Sequence, residues 1–162
     1  MRAILVLLTI AVFAWADTFS DGWAAAKRGD NQEAIRQFTQ AIKLDPNKAQ
    51  AYYERGLLYG ILGEYEKAIE DYTRAIKINP DYADPYVNRG FLYAKFDHSK
   101  AIADFTRAIK NNPNYAWAYD GRGNSYLSLG DTKKAIEDAK RACDLGECEL
   151  LQFLHENGQI GD

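Results

Sequence analysis

The chain has 162 residues, enough for one domain or one short stack of repeated units, and its 47% hydrophobic content can furnish a core. Lys and Arg number 20 against 23 Asp and Glu, a net charge of −3. That balance argues against nucleic-acid binding, which needs a basic surface, and no run of five or more like charges marks a solvated tail.

The first stretch stands apart. Arg2 precedes an apolar run over 3–13, and Ala14-Trp15-Ala16 follows. A positive start, a short apolar segment and small residues are the order of a secretory signal, with cleavage expected after Ala16. As a helix, residues 3–16 would reach only ~21 Å, short of the roughly 30 Å hydrocarbon core of a bilayer. The reading is therefore a signal peptide over 1–16, an exported protein (periplasmic or secreted), and no stable membrane span after cleavage.

From residue 17 a period takes over. Gly22, Gly56, Gly90 and Gly123 recur at intervals of 34, 34 and 33. Ala34, Ala68, Ala101 and Ala135 recur at 34, 33 and 34, and Ala41, Ala75, Ala108 and Ala142 keep the same intervals. Pro46, Pro80 and Pro113 follow in step. A fixed period of this length signals stacked supersecondary units, and the series agree on one deletion between Gly90 and Ala101. The recurrence also accounts for the 11 tyrosines and 12 glycines.

Taken in order, the units span about 17–48, 49–82, 83–115 and 116–146. In the second, the pattern predicts a helix over 50–62, a break at Gly63-Glu64, and a second helix over 65–78 that Asn79-Pro80 ends, since proline disfavours helix in the residue before it. Gly29-Asp30 with Asp45-Pro46, and Gly130-Asp131, supply the same breaks elsewhere. Unit three lacks the turn glycine. Phe96-Asp97-His98 stands there, one residue short, which predicts a tighter or distorted turn. Gly56 and Ala68 are expected where the paired helices come closest, because a bulky side chain there would push them apart. Leu150, Leu151, Phe153 and Leu154 make 147–157 a capping helix over the open end of the stack, and 159–162 are expected to fray.

These residues resemble the tetratricopeptide repeat family, whose pattern is an aromatic, Leu-Gly, Tyr, then Ala, Phe, Ala and Pro at set spacing. Tyr52, Gly56, Tyr59, Ala68, Tyr72, Ala75 and Pro80 fill it. So do Tyr86, Gly90, Tyr93, Ala101, Phe105, Ala108 and Pro113. In the fourth unit Ala139 replaces the aromatic, and in the first Thr18 and Ala25 stand where aromatics are usual. Arg55, Arg89 and Arg122 take the place of leucine before the glycine. The resemblance implies an all-α fold: a right-handed α-solenoid of antiparallel helix pairs with a C-terminal capping helix.

It also implies that the first helices line a concave groove. On those helices a second apolar stripe sits beside the core stripe. Its members, and the residues matching them in the other units, are Phe19, Trp23 and Lys27; Tyr53, Leu57 and Ile61; Val87, Phe91 and Lys95; and Trp117, Asp120, Asn124 and Ser128. Trp23, Phe91 and Trp117 are the residues most expected to be exposed. Aromatics with a few polar groups are the makings of interface anchors, so the expected partner is another protein or peptide. The alternative for this stripe is packing on neighbouring helices.

No catalytic, cofactor or metal site is expected. His98 reads as a solvated turn residue, Asp and Glu as outer-face residues, and the glycines follow the repeat rather than a phosphate loop. Cys143 and Cys148 lie five apart with Gly146 between them. A bridge and free thiols both stay open, because pairing depends on geometry. The leading function is therefore a binding or scaffold module. The alternatives are a self-assembling structural protein forming homo-oligomers and, behind it, a metal-binding protein or enzyme using His155 with the two cysteines.

Overall fold

The computed structural model describes residues 2–160, with side chains from Trp15 onward. Among the described residues every regular element is a helix: α1 (Arg2–Lys27), α2 (Asn31–Leu44), α3 (Ala49–Ile61), α4 (Tyr65–Ile78), α5 (Ala83–Tyr93), α6 (His98–Asn111), α7 (Ala116–Ser128), α8 (Thr132–Asp144) and α9 (Glu149–Glu156). They fall into two compact units, Met1–Pro80 with α1–α4 and Asp81–Asp162 with α5–α9. The expected signal segment, 1–16, falls almost wholly on residues whose side chains lie outside the described ones. Among the described residues no helix is long and apolar enough to cross a membrane.

The breaks form as the local chemistry requires. Gly29, Gly63 and Gly130 take φ of +77°, +76° and +81°, a backbone that L side chains rarely adopt. Past each glycine, the amide of Asp30, Glu64 or Asp131 reaches back to the carbonyl of Ala25, Tyr59 or Tyr126. In the third pair the missing glycine shortens the turn. The Asp97 amide donates instead to Tyr93, which stands at the same register as those acceptors. The deletion is absorbed in the turn and the acceptor is kept. Asp30, Asp97 and Asp131 then cap the next helix, each carboxylate accepting from the amide three residues on. His98 opens α6 half-buried, with a buried Nδ1 that has no hydrogen-bond partner, rather than lying solvated in a turn.

Each first helix carries a hole, and in the first three pairs the second helix carries a ring to fill it. A Cβ on Gly22 would stand 2.8 Å from Phe38 Cε1, one on Gly56 2.7 Å from Tyr72 Cε1, and one on Gly90 2.9 Å from Phe105 Cε1. Phe105 meets Gly121 of α7 as well, so one ring serves two glycines. The fourth pair has Ala139 where the aromatic would be. Leu150 of α9 fills the space, 2.7 Å from a Cβ built on Gly123. Leu150 and Leu154 are buried and hold α9 down, with Ala139 in the same core cluster. Cys143 and Cys148 form a disulfide at the start of α9.

The arginines before these glycines have a polar task. Arg55 donates to both carboxylate oxygens of Asp71 at 2.8 and 2.7 Å, Arg89 to Asp104 at 2.8 Å each, and Arg122 to Asp138 at 2.8 Å each. These three aspartates are buried, at 5–6% exposure, which corrects their assignment to outer faces. A forked guanidinium can satisfy a buried carboxylate where a lysine cannot. Burial pushes the Asp71 carboxyl above its ordinary pKa, against the pull of the Arg55 hydrogen bonds. The Arg55 guanidinium lies 5.8 Å from the ring centres of both Tyr52 and Tyr59. Arg55 also donates to Thr39 of the preceding pair at 3.0 Å, and Arg122 to Thr106 at 3.2 Å. Arg55 and Arg122 thus each fasten their own hairpin and bind it to the one before.

Candidate partner-binding clefts

In the first unit, α1 and α3 present side chains around a cleft of about 250 Å³ floored by Phe38. It gathers four of the residues read from the sequence: Trp23, Lys27, Leu57 and Ile61. Trp23 is 42% exposed and Ile61 70%. Both are open because the inner face of each helix is already committed to the glycine–ring contacts, which turns the second stripe outward. Lys27 Nζ lies 6.0 Å from the Trp23 ring centre, and Glu54 joins the wall, so one charge of each sign edges an apolar cleft. Phe19 and Tyr53, expected beside them, are half-buried in packing. Phe19 stacks on Trp15 at 4.8 Å and tilts against Phe38 at 5.3 Å, while Tyr53 meets Tyr72 at 6.1 Å.

In the second unit the expected stripe divides. Val87 is buried at 3% exposure, so it belongs to the core rather than to an open surface. Phe91, expected to be exposed, is half-buried edge-on to Phe105 with ring centres 5.0 Å apart. Both corrections have one cause: apolar residues at helical spacing fill whatever interior lies on their side of the helix. Lys95 is exposed in the turn after α5, and Trp117 is exposed on α7.

Asp120 and Asn124 line a different cleft, of about 320 Å³, with Leu127 and Ser128 of α7 and with Glu149, Leu150 and Phe153 of α9. The Asn124 amide donates to the Asp120 carboxylate at 3.0 Å and to its carbonyl at 2.9 Å. Burial, then the nearby Glu149, pushes the Asp120 carboxyl above its ordinary pKa, against the Asn124 hydrogen bond. The capping helix therefore does more than cover the core. Leu150 and Leu154 point in, and Phe153, at 49% exposure, points out into this cleft's wall. The signal was present in the sequence, since Phe153 falls off the Leu150–Leu154 stripe. Among the described residues no three His, Cys, Asp or Glu side chains gather as metal ligands, and the disulfide takes both thiols out of that role.

Hairpins repeated in register around glycine holes define an all-α solenoid-type repeat protein. Family profiles described as tetratricopeptide repeat match residues 49–82 and 105–137, and one described as TPR repeat matches 22–63. The chain belongs to the tetratricopeptide repeat family. No curated protein matches it in sequence. Among solved structures it is similar to the crystal structure of MamA, at 28% identity and a TM-score of 0.78, over 90% of this chain and 86% of that one. It is also similar to the Arabidopsis OM64 TPR domain, at 25% identity and a TM-score of 0.70, over 73% of this chain and 98% of that one. The first TPR of Spaghetti (RPAP3), bound to the HSP90 peptide SRMEEVD, matches at 28% identity and a TM-score of 0.66, over 71% of this chain and 94% of that one.

Proposed function

We propose that the chain is a non-enzymatic interaction module that holds a segment of a partner protein, with the first-unit cleft as its apolar anchor site. The observation that carries this reading is the exposure of Trp23 and Ile61 around Leu57 and Phe38, a cleft held open by rigid helices. Burying such anchors is how interfaces concentrate their affinity. The similarity to a TPR domain bound to a peptide supports the same reading. Lys27 and Glu54 would set the direction of the bound segment. Export is part of the proposal: residues 1–16 have the order of a secretory signal, and a disulfide suits an oxidising compartment.

The test is selection from a displayed peptide library, with residues 17–162 as bait beside the W23E/I61E variant. Circular dichroism first establishes that both are equally helical. The expected result is a set of peptides with an aromatic or aliphatic anchor that bind the first bait at least about tenfold more tightly than the second. Equal retention by both baits would remove this cleft as the binding site.

A further inference from the structure

We propose that the second-unit cleft between α7 and α9 is a separate docking site for a lysine or arginine side chain carried on an apolar stretch of a partner protein. This goes beyond the first-unit cleft and does not rest on it.

The chain treats its three fully buried aspartates alike. Asp71, Asp104 and Asp138 each receive both arms of an arginine. Asp120 is half-buried, and its hydrogen-bond donor is the neutral amide of Asn124. Glu149 lines the same cleft, and among the described residues neither carboxylate has an ion-pair partner. Asp120 is half-buried and the exposed carboxylate of Glu149 lines the cleft with it, so the pair presents unbalanced negative charge that an incoming cation would complement. The raised pKa of Asp120, from burial and from the Glu149 charge, is the same imbalance seen from the carboxyl.

The acids alone would describe only a charged patch. The rest of the lining sets the shape of the occupant. Leu127, Leu150 and the outward ring of Phe153 give an apolar wall beside the carboxylates. Long basic side chains have that division, an alkyl stem and a charged head, and an aromatic face adds attraction for the cation. A compact metal ion or a short polar ligand would leave Phe153 unused. The walls are also fixed in advance. Leu150 is seated against Gly123 of α7, and the Cys143–Cys148 disulfide ties the start of α9 to the end of α8.

The test uses the folded chain and a fluorescein-labelled nonapeptide with one central arginine flanked by leucines. Companion peptides carry norleucine or glutamate in place of the arginine, and anisotropy is read at low and at physiological salt. The arginine peptide is expected to bind at least about tenfold more tightly than the norleucine peptide, with the preference shrinking as salt rises. D120N/E149Q should erase that preference. E149Q alone, a change at an exposed position, should reduce it without disturbing the fold. F153A should weaken all three peptides, and W23E/I61E should change none of these values. Equal binding of arginine and norleucine peptides, or a preference that survives D120N/E149Q, overturns the proposal. Loss on W23E/I61E alone also overturns it, because the peptide then sits in the first-unit cleft.

Discussion

Two glycines four residues apart on α3 should respond in opposite senses to one substitution. Alanine is favoured over glycine in a helix interior by about 1 kcal/mol. At Gly60 the new methyl meets only the Tyr72 hydroxyl, at 3.7 Å, an ordinary contact. Gly60→Ala should therefore stabilise, by about 0.5–1 kcal/mol so near the helix end. At Gly56 the methyl would stand 2.7 and 2.9 Å from two ring carbons of Tyr72 and 3.3 Å from Asp71 Cβ. The ring is buried and cannot swing away, and Asp71 is held by Arg55. Overpacking of this kind costs about 3 kcal/mol at its upper end. Against the propensity gain, the net loss for Gly56→Ala is about 2 kcal/mol. In thermal melts followed by circular dichroism, Gly56→Ala should lower the midpoint by about 4–8 °C and Gly60→Ala should raise it by about 1–3 °C. Urea titrations with an unchanged slope would confirm that the same transition is being compared. A Gly56→Ala variant as stable as wild type would refute the ring-in-hole packing.

The clasp predicts a second asymmetry: Asp138→Ala, which strands a buried guanidinium, should cost about 3–5 kcal/mol, while Arg122→Met with Asp138→Leu should recover most of it, both read by urea denaturation. Replacing Cys143 and Cys148 by serine should cost about 2 kcal/mol, as expected for so short a closed loop, and amide exchange should rise first in α9. The caps make a pH prediction. The Lys100 amide and side chain hold Asp97 below its ordinary pKa, and the Lys134 side chain does the same for Asp131. A carboxylate lowered in the folded state contributes stability above its unfolded pKa of about 4, and that contribution fades as pH falls through the lowered value. D97N/D131N keeps oxygen acceptors at both caps, so its melting midpoint should fall less than that of wild type between about pH 5 and pH 3.

The helix pairs were legible because the residues that make them recur. Glycine, alanine, aromatic and proline each hold a fixed offset, and the structure uses each for a turn, a close approach or a stop. The clasp was hidden although its parts recur as well. Asp71, Asp104 and Asp138 look like surface acids until Arg55, Arg89 and Arg122, some sixteen residues earlier, are placed opposite them across the hairpin. Leu150 could not be matched to Gly123 from spacing, because it breaks the pattern in order to stand in for the ring that Ala139 lacks. For the site, Trp23, Lys27, Leu57 and Ile61 came together in one cleft, whereas Val87 and Phe91 turned inward. Periodicity places residues on a face. It does not say whether a neighbouring element covers that face.

The threonine bonds of Arg55 and Arg122 give the joints between hairpins a direction. The arginine is a plug and the threonine one hairpin earlier is its socket, Arg55 with Thr39 in the first unit and Arg122 with Thr106 in the second. At the corresponding places the first pair carries Asp21, so it has a socket but no plug. The last carries Lys140, so it has a plug but no socket. A further hairpin spliced onto the front would meet no arginine, and one added behind would set its own arginine against a like charge. The contact therefore has a direction, and a hairpin can use it only where arginine and threonine both stand in register.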